Sequence, residues 1–112
     1  MKNYKSIQEF EKEYKKLKKR FPSLEEDFQN FQAILEQFPT GTGSKFVQLH
    51  DERDVIIIKA RFACRCLRDS SLRIIYAWHK QKITFVYIEL YFKGDKTNED
   101  RKRILEYMKT IE

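Results

Sequence analysis

The chain has 112 residues, with 23 Lys or Arg against 17 Asp or Glu, for a net charge of +6. That length suits one domain spanning 1–112 with a core of its own, and 41% hydrophobic with 14% aromatic residues is too apolar for a disordered chain. No apolar run approaches the roughly 20 residues that span a bilayer. The N-terminus also has no signal-peptide core, so the expected compartment is the cytoplasm. A basic balance favours an anionic partner without choosing among nucleic acid, acidic protein and anionic surface.

The elements follow in chain order. Ser6-Ile7-Gln8-Glu9 reads as a capping box. Apolar residues then recur at Ile7, Phe10, Tyr14, Leu17 and Phe21, the spacing of one helical stripe, until Phe21-Pro22 ends it. Ser23-Leu24-Glu25-Glu26 is a second capping box, and Leu24, Phe28, Phe31, Leu35 and Phe38 form a second stripe, read as core. The segment Pro39–Gly43 stops this helix. So short a link makes the two helices an antiparallel hairpin.

The period then changes. Val55–Ile58, Leu72–Trp78 and Ile83–Phe92 are rich in β-branched and aromatic residues and read as strands. Phe46–Leu49 is either a short edge strand or loop, and His79-Lys80-Gln81 is short enough for a hairpin turn. Asn98-Glu99-Asp100 caps a last helix carrying Ile104, Leu105, Met108 and Ile111. Helices followed by strands imply an α+β fold: an N-terminal helical hairpin on a twisted antiparallel sheet of three to four strands, with a C-terminal helix.

The positive charge is unevenly placed. Residues 1–56 hold ten basic and ten acidic residues, whereas residues 57–112 hold thirteen basic and seven acidic. In an antiparallel meander the end of the first strand, the start of the second and the end of the third meet. Lys59, Arg61, Arg73, Tyr91 and Lys93 would then gather at one end of the sheet. Register decides whether they share a face. Such a cluster suits phosphodiester cleavage without a metal. A Lys depressed by neighbouring cations acts as general base on a ribose 2′-hydroxyl, arginines stabilise the phosphorane, and Tyr stacks on or orients a base.

These residues resemble the RelE/ParE superfamily of bacterial toxins, in its RelE-like branch. The resemblance is carried by residues 14–27, Ile58-Lys-Ala-Arg61, Leu72-Arg-Ile-Ile-Tyr76, residues 88–96 and Asn98-Glu99-Asp100. It implies a type II toxin that cuts messenger RNA in the ribosomal A site without metal or cofactor. It also implies inhibition by an acidic, DNA-binding cognate antitoxin. By the same resemblance Lys59 is the proton-transfer residue, Arg73 the phosphate ligand and Lys93 the counterpart of a family arginine. Arg61, Tyr91, Arg65 and Arg68 are then substrate-binding, the last two in a loop, Phe62–Ser71, that replaces a Gly-rich basic turn. Tyr91 is a substitute for a C-terminal tyrosine with no counterpart here. Members of the superfamily that inhibit gyrase, or a fold that only binds antitoxin or RNA, are the alternatives.

Several other residues have plainer readings. Cys64 and Cys66 read as two free thiols, since His50 and His79 alone do not complete a zinc site. His79 reads as a turn residue. Lys15, Lys16, Lys18, Lys19 and Arg20 read as a solvated helix face, with ribosomal RNA as the other possible partner.

Overall fold

A computed structural model describes residues 2–67 and 72–111. The elements are β1 (Asn3–Ser6), α1 (Gln8–Arg20), α2 (Leu24–Gln37), β2 (Phe46–Glu52), β3 (Val55–Phe62), β4 (Leu72–His79), β5 (Thr84–Phe92) and α3 (Arg101–Lys109). The fold is α+β, with a five-stranded mixed sheet in the order β1-β5-β4-β3-β2.

The expected sheet of three to four antiparallel strands therefore needs correcting. β2 is a full edge strand, and β1 adds a fifth strand running parallel to β5. β1 is four residues long and carries no β-branched residue, so it gives little strand signal. It also takes Ser6, the supposed cap, into the sheet. The N-cap of α1 is Ile7, no side chain caps it, and Ser6 Oγ bonds Glu11 instead. At α2 Ser23 is the N-cap residue, but its hydroxyl donates to the Asp27 carboxylate at 2.6 Å rather than capping the backbone.

Both faces of the sheet are covered, which explains why β3 and β4 lack a polar-apolar alternation. On one face Ile56, Ile58, Phe62, Ile74, Tyr76, Phe85 and Leu90 pack with Phe10, Leu17, Leu24, Phe31 and Leu35 from α1 and α2. On the other, Val55, Ile57, Ile75, Ala77 and Ile88 pack under Ile104 and Met108 of α3. Phe38, read as core, follows α2 and is 48% exposed, and Leu105 is 53% exposed on the outer side of α3.

Between β4 and β5 the register shifts: Ile75 faces Glu89, but Tyr76 faces Tyr87. Ile88 is the extra residue of this bulge. The bulge reverses the alternation of β5, so Ile88 and Glu89 both face α3. Leu90 then points to α1 and α2, and Tyr91 points back toward α3. Beyond Tyr87 the outer edge of β5 has no strand partner. There Glu13 of α1 accepts the Leu90 N–H at 3.1 Å, and Arg103 of α3 donates to the Ile88 carbonyl and to Glu13, each at 3.0 Å.

The β2–β3 turn places Arg53 and Asp54 at φ 54° and 61°, the two left-handed residues of a tight hairpin turn. In the β4–β5 turn Ile83 sits at φ 49° and is 49% exposed. A β-branched residue is strained there. Ile83→Asn, which tolerates this conformation, is expected to stabilise the protein by about 1 kcal/mol and raise Tm by several degrees in thermal denaturation; an unchanged or lower Tm would show that the Ile83 side chain contributes more than the strain costs.

Candidate functional site

The register answers the question that spacing left open. Arg61 lies opposite Arg73, and Arg73 lies opposite Tyr91. The three side chains form one cross-strand row on the α3 face of the sheet, just past the reach of Ile104 and Met108. Lys59, two residues before Arg61, is on the same face and opposite Ile75. Lys93 follows the end of β5. Lys45, Lys59, Arg61, Arg73 and Lys93 line a cavity of about 270 Å³ together with Ser44, Val47 and Glu99.

Arg73 is 8% exposed, and its guanidinium donates to the carbonyl of Leu72 at 3.2 Å. Burial, and then the charge of Arg61, push it down from the ordinary arginine value, but it stays cationic at any pH of interest. Two guanidinium groups held side by side by backbone pairing repel each other. An anion between them relieves that repulsion, and the planar fork of Arg fits phosphate oxygens two at a time.

Lys59 behaves differently from the expectation of a depressed, basic amine. Burial pulls its ammonium down, but the Glu99 hydrogen bond, the Tyr91 hydroxyl and the Glu99 charge outweigh burial and leave it raised. The Lys59–Glu99 distance is 2.8 Å, and the Glu99 side chain is 7% exposed. Burial works to raise the Glu99 carboxyl, yet its bond to Lys59 and the charges of Lys59 and Arg101 hold it below the usual carboxylate range. Lys59 is thus a protonated acid in this conformation, not a base.

Two acids to which the sequence assigned no role in the site organise this end of the sheet. Glu99 is one. Glu89 is the other, with no exposed surface: it accepts the Asp100 N–H at 2.8 Å and pairs with Lys96. Together they fasten the β5–α3 segment over the cations. The Asp100 carboxylate caps α3 by accepting the Arg103 N–H at 3.0 Å. The only sequence signal for Glu89 was an acid within an apolar strand, which the bulge then turns toward the site.

Tyr91 is not placed for stacking. It is 5% exposed, its ring is covered by the Lys96 ammonium at 5.2 Å, and its hydroxyl faces Lys59. Arg65 is not brought to the cluster either. It pairs with Glu26 at 2.7 Å and Asp27 at 3.3 Å, while its backbone N–H bonds Asp27 at 2.9 Å, all on the α2 side. Arg68 lies outside the described residues. Cys64 is buried and Cys66 exposed, both free, with the Cys66 sulfur accepting the Ser23 N–H at 3.4 Å. The α1 cations are exposed, Lys18 pairing with Glu25 and Arg20 with Asp95.

No family model and no curated protein matches the sequence. Among solved structures, the archaeal RelE–RelB complex from Pyrococcus horikoshii is similar, with a TM-score of 0.62 at 20% identity over 85% of this chain and 98% of that one. The chain therefore has a RelE-like fold. Among the described residues no helix is long and apolar enough to cross a membrane.

The Lys59–Glu99 pair has a measurable consequence. In Glu99→Gln the carboxylate charge that helps raise Lys59 is gone, so the Lys59 ammonium is expected to titrate lower than in the parent. NMR of the Lys59 Nζ resonance reads this directly, and an unchanged titration would show that Glu99 does not hold the proton. By linkage, the stability that Glu99 contributes is present above its unfolded pKa and is lost as pH falls through its lowered folded value. The contribution from Lys59 is lost as pH rises through its raised one.

Proposed function

We propose that this chain is the toxin of a type II toxin–antitoxin pair, a metal-independent endoribonuclease that cuts translated messenger RNA and acts in the cytoplasm, where ribosomes are. The observation that carries this reading is the cross-strand row Arg61–Arg73 beside Lys59, lining one small cavity. The fold it shares with the archaeal RelE of a RelE–RelB complex supports it. Its partners are then the ribosome and messenger RNA, and an acidic, DNA-binding antitoxin that covers the +6 surface.

In this reading Arg73 and Arg61 hold the oxygens of the scissile phosphate and stabilise the charge of the phosphorane. Lys93 and Lys45 add to the local positive potential. The ribose 2′-oxygen attacks phosphorus, the bond to the 5′-oxygen breaks, and the products are a 2′,3′-cyclic phosphate and a 5′-hydroxyl. Lys59, held protonated, gives its proton to the leaving 5′-oxygen. Glu99, the carboxylate that lines the cavity, takes the 2′-hydroxyl proton after giving up its contact with Lys59. Tyr91 orients the Lys59 ammonium instead of stacking on a base.

Primer extension on messenger RNA after induction tests the reading. Arg73→Ala is expected to lower cleavage by about 100-fold or more and to release growth arrest, with Lys59→Ala close behind. Variants as toxic as the parent would refute the assignment, and growth arrest accompanied by DNA-damage signalling without cleavage would place the chain with gyrase inhibitors.

Glu99→Gln separates binding from chemistry. Removing the competing carboxylate is expected to tighten binding of a 2′-deoxy-substituted RNA several-fold while slowing cleavage of the normal strand. Weaker binding would contradict the competition, and undiminished cleavage would contradict the role of Glu99 as base.

A further inference from the structure

A second cavity lies at the opposite end of the sheet, where α3 ends. Its volume is about 550 Å³, and its walls include Lys5, Arg53, His79, Lys82 and Tyr107. His79 lies six residue steps along β4 from Arg73, so the two sites are about 20 Å apart. His79, which the sequence offered as a turn residue, ends β4 and places Nε2 2.5 Å from the Tyr107 hydroxyl of α3. The rings meet edge to face, with centroids 6.0 Å apart.

The residues around His79 come from four separate segments. Lys5 belongs to β1, Lys82 to the β4–β5 turn, Arg53 and Asp54 to the β2–β3 turn, and Tyr107 to α3. Among the described residues Asp54 is the single acid in the lining, and its carboxylate is engaged by Gln81 Nε2 at 3.0 Å. Arg53 is braced by a 3.1 Å bond to the Ile111 carbonyl. Among the described residues neither Lys5 nor Lys82 has an acidic partner. Three cations thus converge on a cleft in which, among the described residues, Asp54 is the one acid and is already occupied. Val55 and Val86 supply an apolar wall, and Thr84 and Thr110 supply hydroxyls.

We propose that this cleft is a second, separate binding site for a phosphate-bearing ligand of nucleotide size. Lys5, Lys82 and Arg53 receive the phosphate, and the His79–Tyr107 pair forms the floor against which the sugar or base lies. The volume falls in the ordinary range for small-molecule sites and exceeds what a lone phosphate needs. The compact ammonium groups suit a phosphate approached as a point charge. Burial, and then Lys82 and Lys5, hold the His79 imidazole below its ordinary value. A bound anion offsets the two lysines, so His79 itself reports occupancy.

The test is an NMR titration of the full chain, following the His79 ring protons as inorganic phosphate, adenosine 5′-monophosphate and a short single-stranded RNA without a terminal phosphate are added in turn. A saturable shift of His79, with a rise in its titration midpoint, is expected for at least the mononucleotide or the RNA. Tighter binding of the mononucleotide identifies a free nucleotide as the ligand, and tighter binding of the RNA identifies a strand phosphate. Both lysines are exposed, so Lys5→Gln with Lys82→Gln leaves the fold intact and is expected to weaken binding at least tenfold. Arg73→Ala is expected to leave it unchanged, whatever becomes of cleavage. The proposal is overturned if no probe shifts His79 saturably, if the double lysine variant binds as the parent does, or if Arg73→Ala abolishes the shift.

Discussion

The bulge at Ile88 is the constraint on which the candidate site depends. Were the same residues paired regularly, without the bulge, Tyr91 and Glu89 would share the face of Tyr87 and point into the packing of α1 and α2. With it, the last turn of alternation in β5 is reversed. The phenol then joins Arg61 and Arg73 in one row, and a carboxylate with no exposed surface turns to meet the segment leading into α3. A single backbone irregularity thus adds the β5 groups to a row that the regular β3–β4 ladder already forms, and antiparallel pairing holds them together. Bulges next to functional sites commonly re-aim side chains in this way.

The face that carries this row is divided by α3. Where Ile104 and Met108 reach, the sheet beneath is Val, Ile and Ala; where they stop, it is Lys, Arg, Tyr and Glu. The cations do not stand uncompensated. Glu99 sits against Lys59, and Glu89 ties down Asp100 and Lys96. This arrangement offsets the cost of clustering cations in the absence of an anion. It also sets the protonation of Lys59, since a nearby carboxylate favours the charged ammonium more than partial burial disfavours it. The cavity lining nevertheless keeps an excess of cations, Lys45, Lys59, Arg61, Arg73 and Lys93 against Glu99, for an incoming anion to meet.

Much of this was legible in the residues. The spacing of Phe10, Tyr14, Leu17 and Phe21 marked α1, that of Leu24, Phe28, Phe31 and Leu35 marked α2, and β-branched runs marked β3, β4 and β5. Topology alone placed Lys59, Arg61, Arg73 and Lys93 near one another. What escaped has physical reasons. β1 is short, lysine-bearing and held by pairing with β5, a tertiary effect that propensity does not carry. Phe38 and Leu105 follow helical periodicity into solvent because their elements end or turn away from the core there. Arg65 is diverted by Asp27, a buried acid on another element. The role of Glu99 depends on where α3 starts relative to the sheet, and that is decided by Glu89 and Arg103, residues far apart in the chain.

The central claim is that the cross-strand row receives an RNA phosphate. The salt dependence of binding of a non-cleavable 2′-deoxy-substituted RNA tests this most directly, because each phosphate contact that is lost lowers the slope of log affinity against log salt by about 0.7 for a single strand. Arg73→Ala is expected to flatten the slope by about that amount, while Lys15→Ala on the solvated face of α1 leaves it unaltered. A slope unmoved by Arg73→Ala but flattened by Lys15→Ala would place the RNA on the helices and contradict the account.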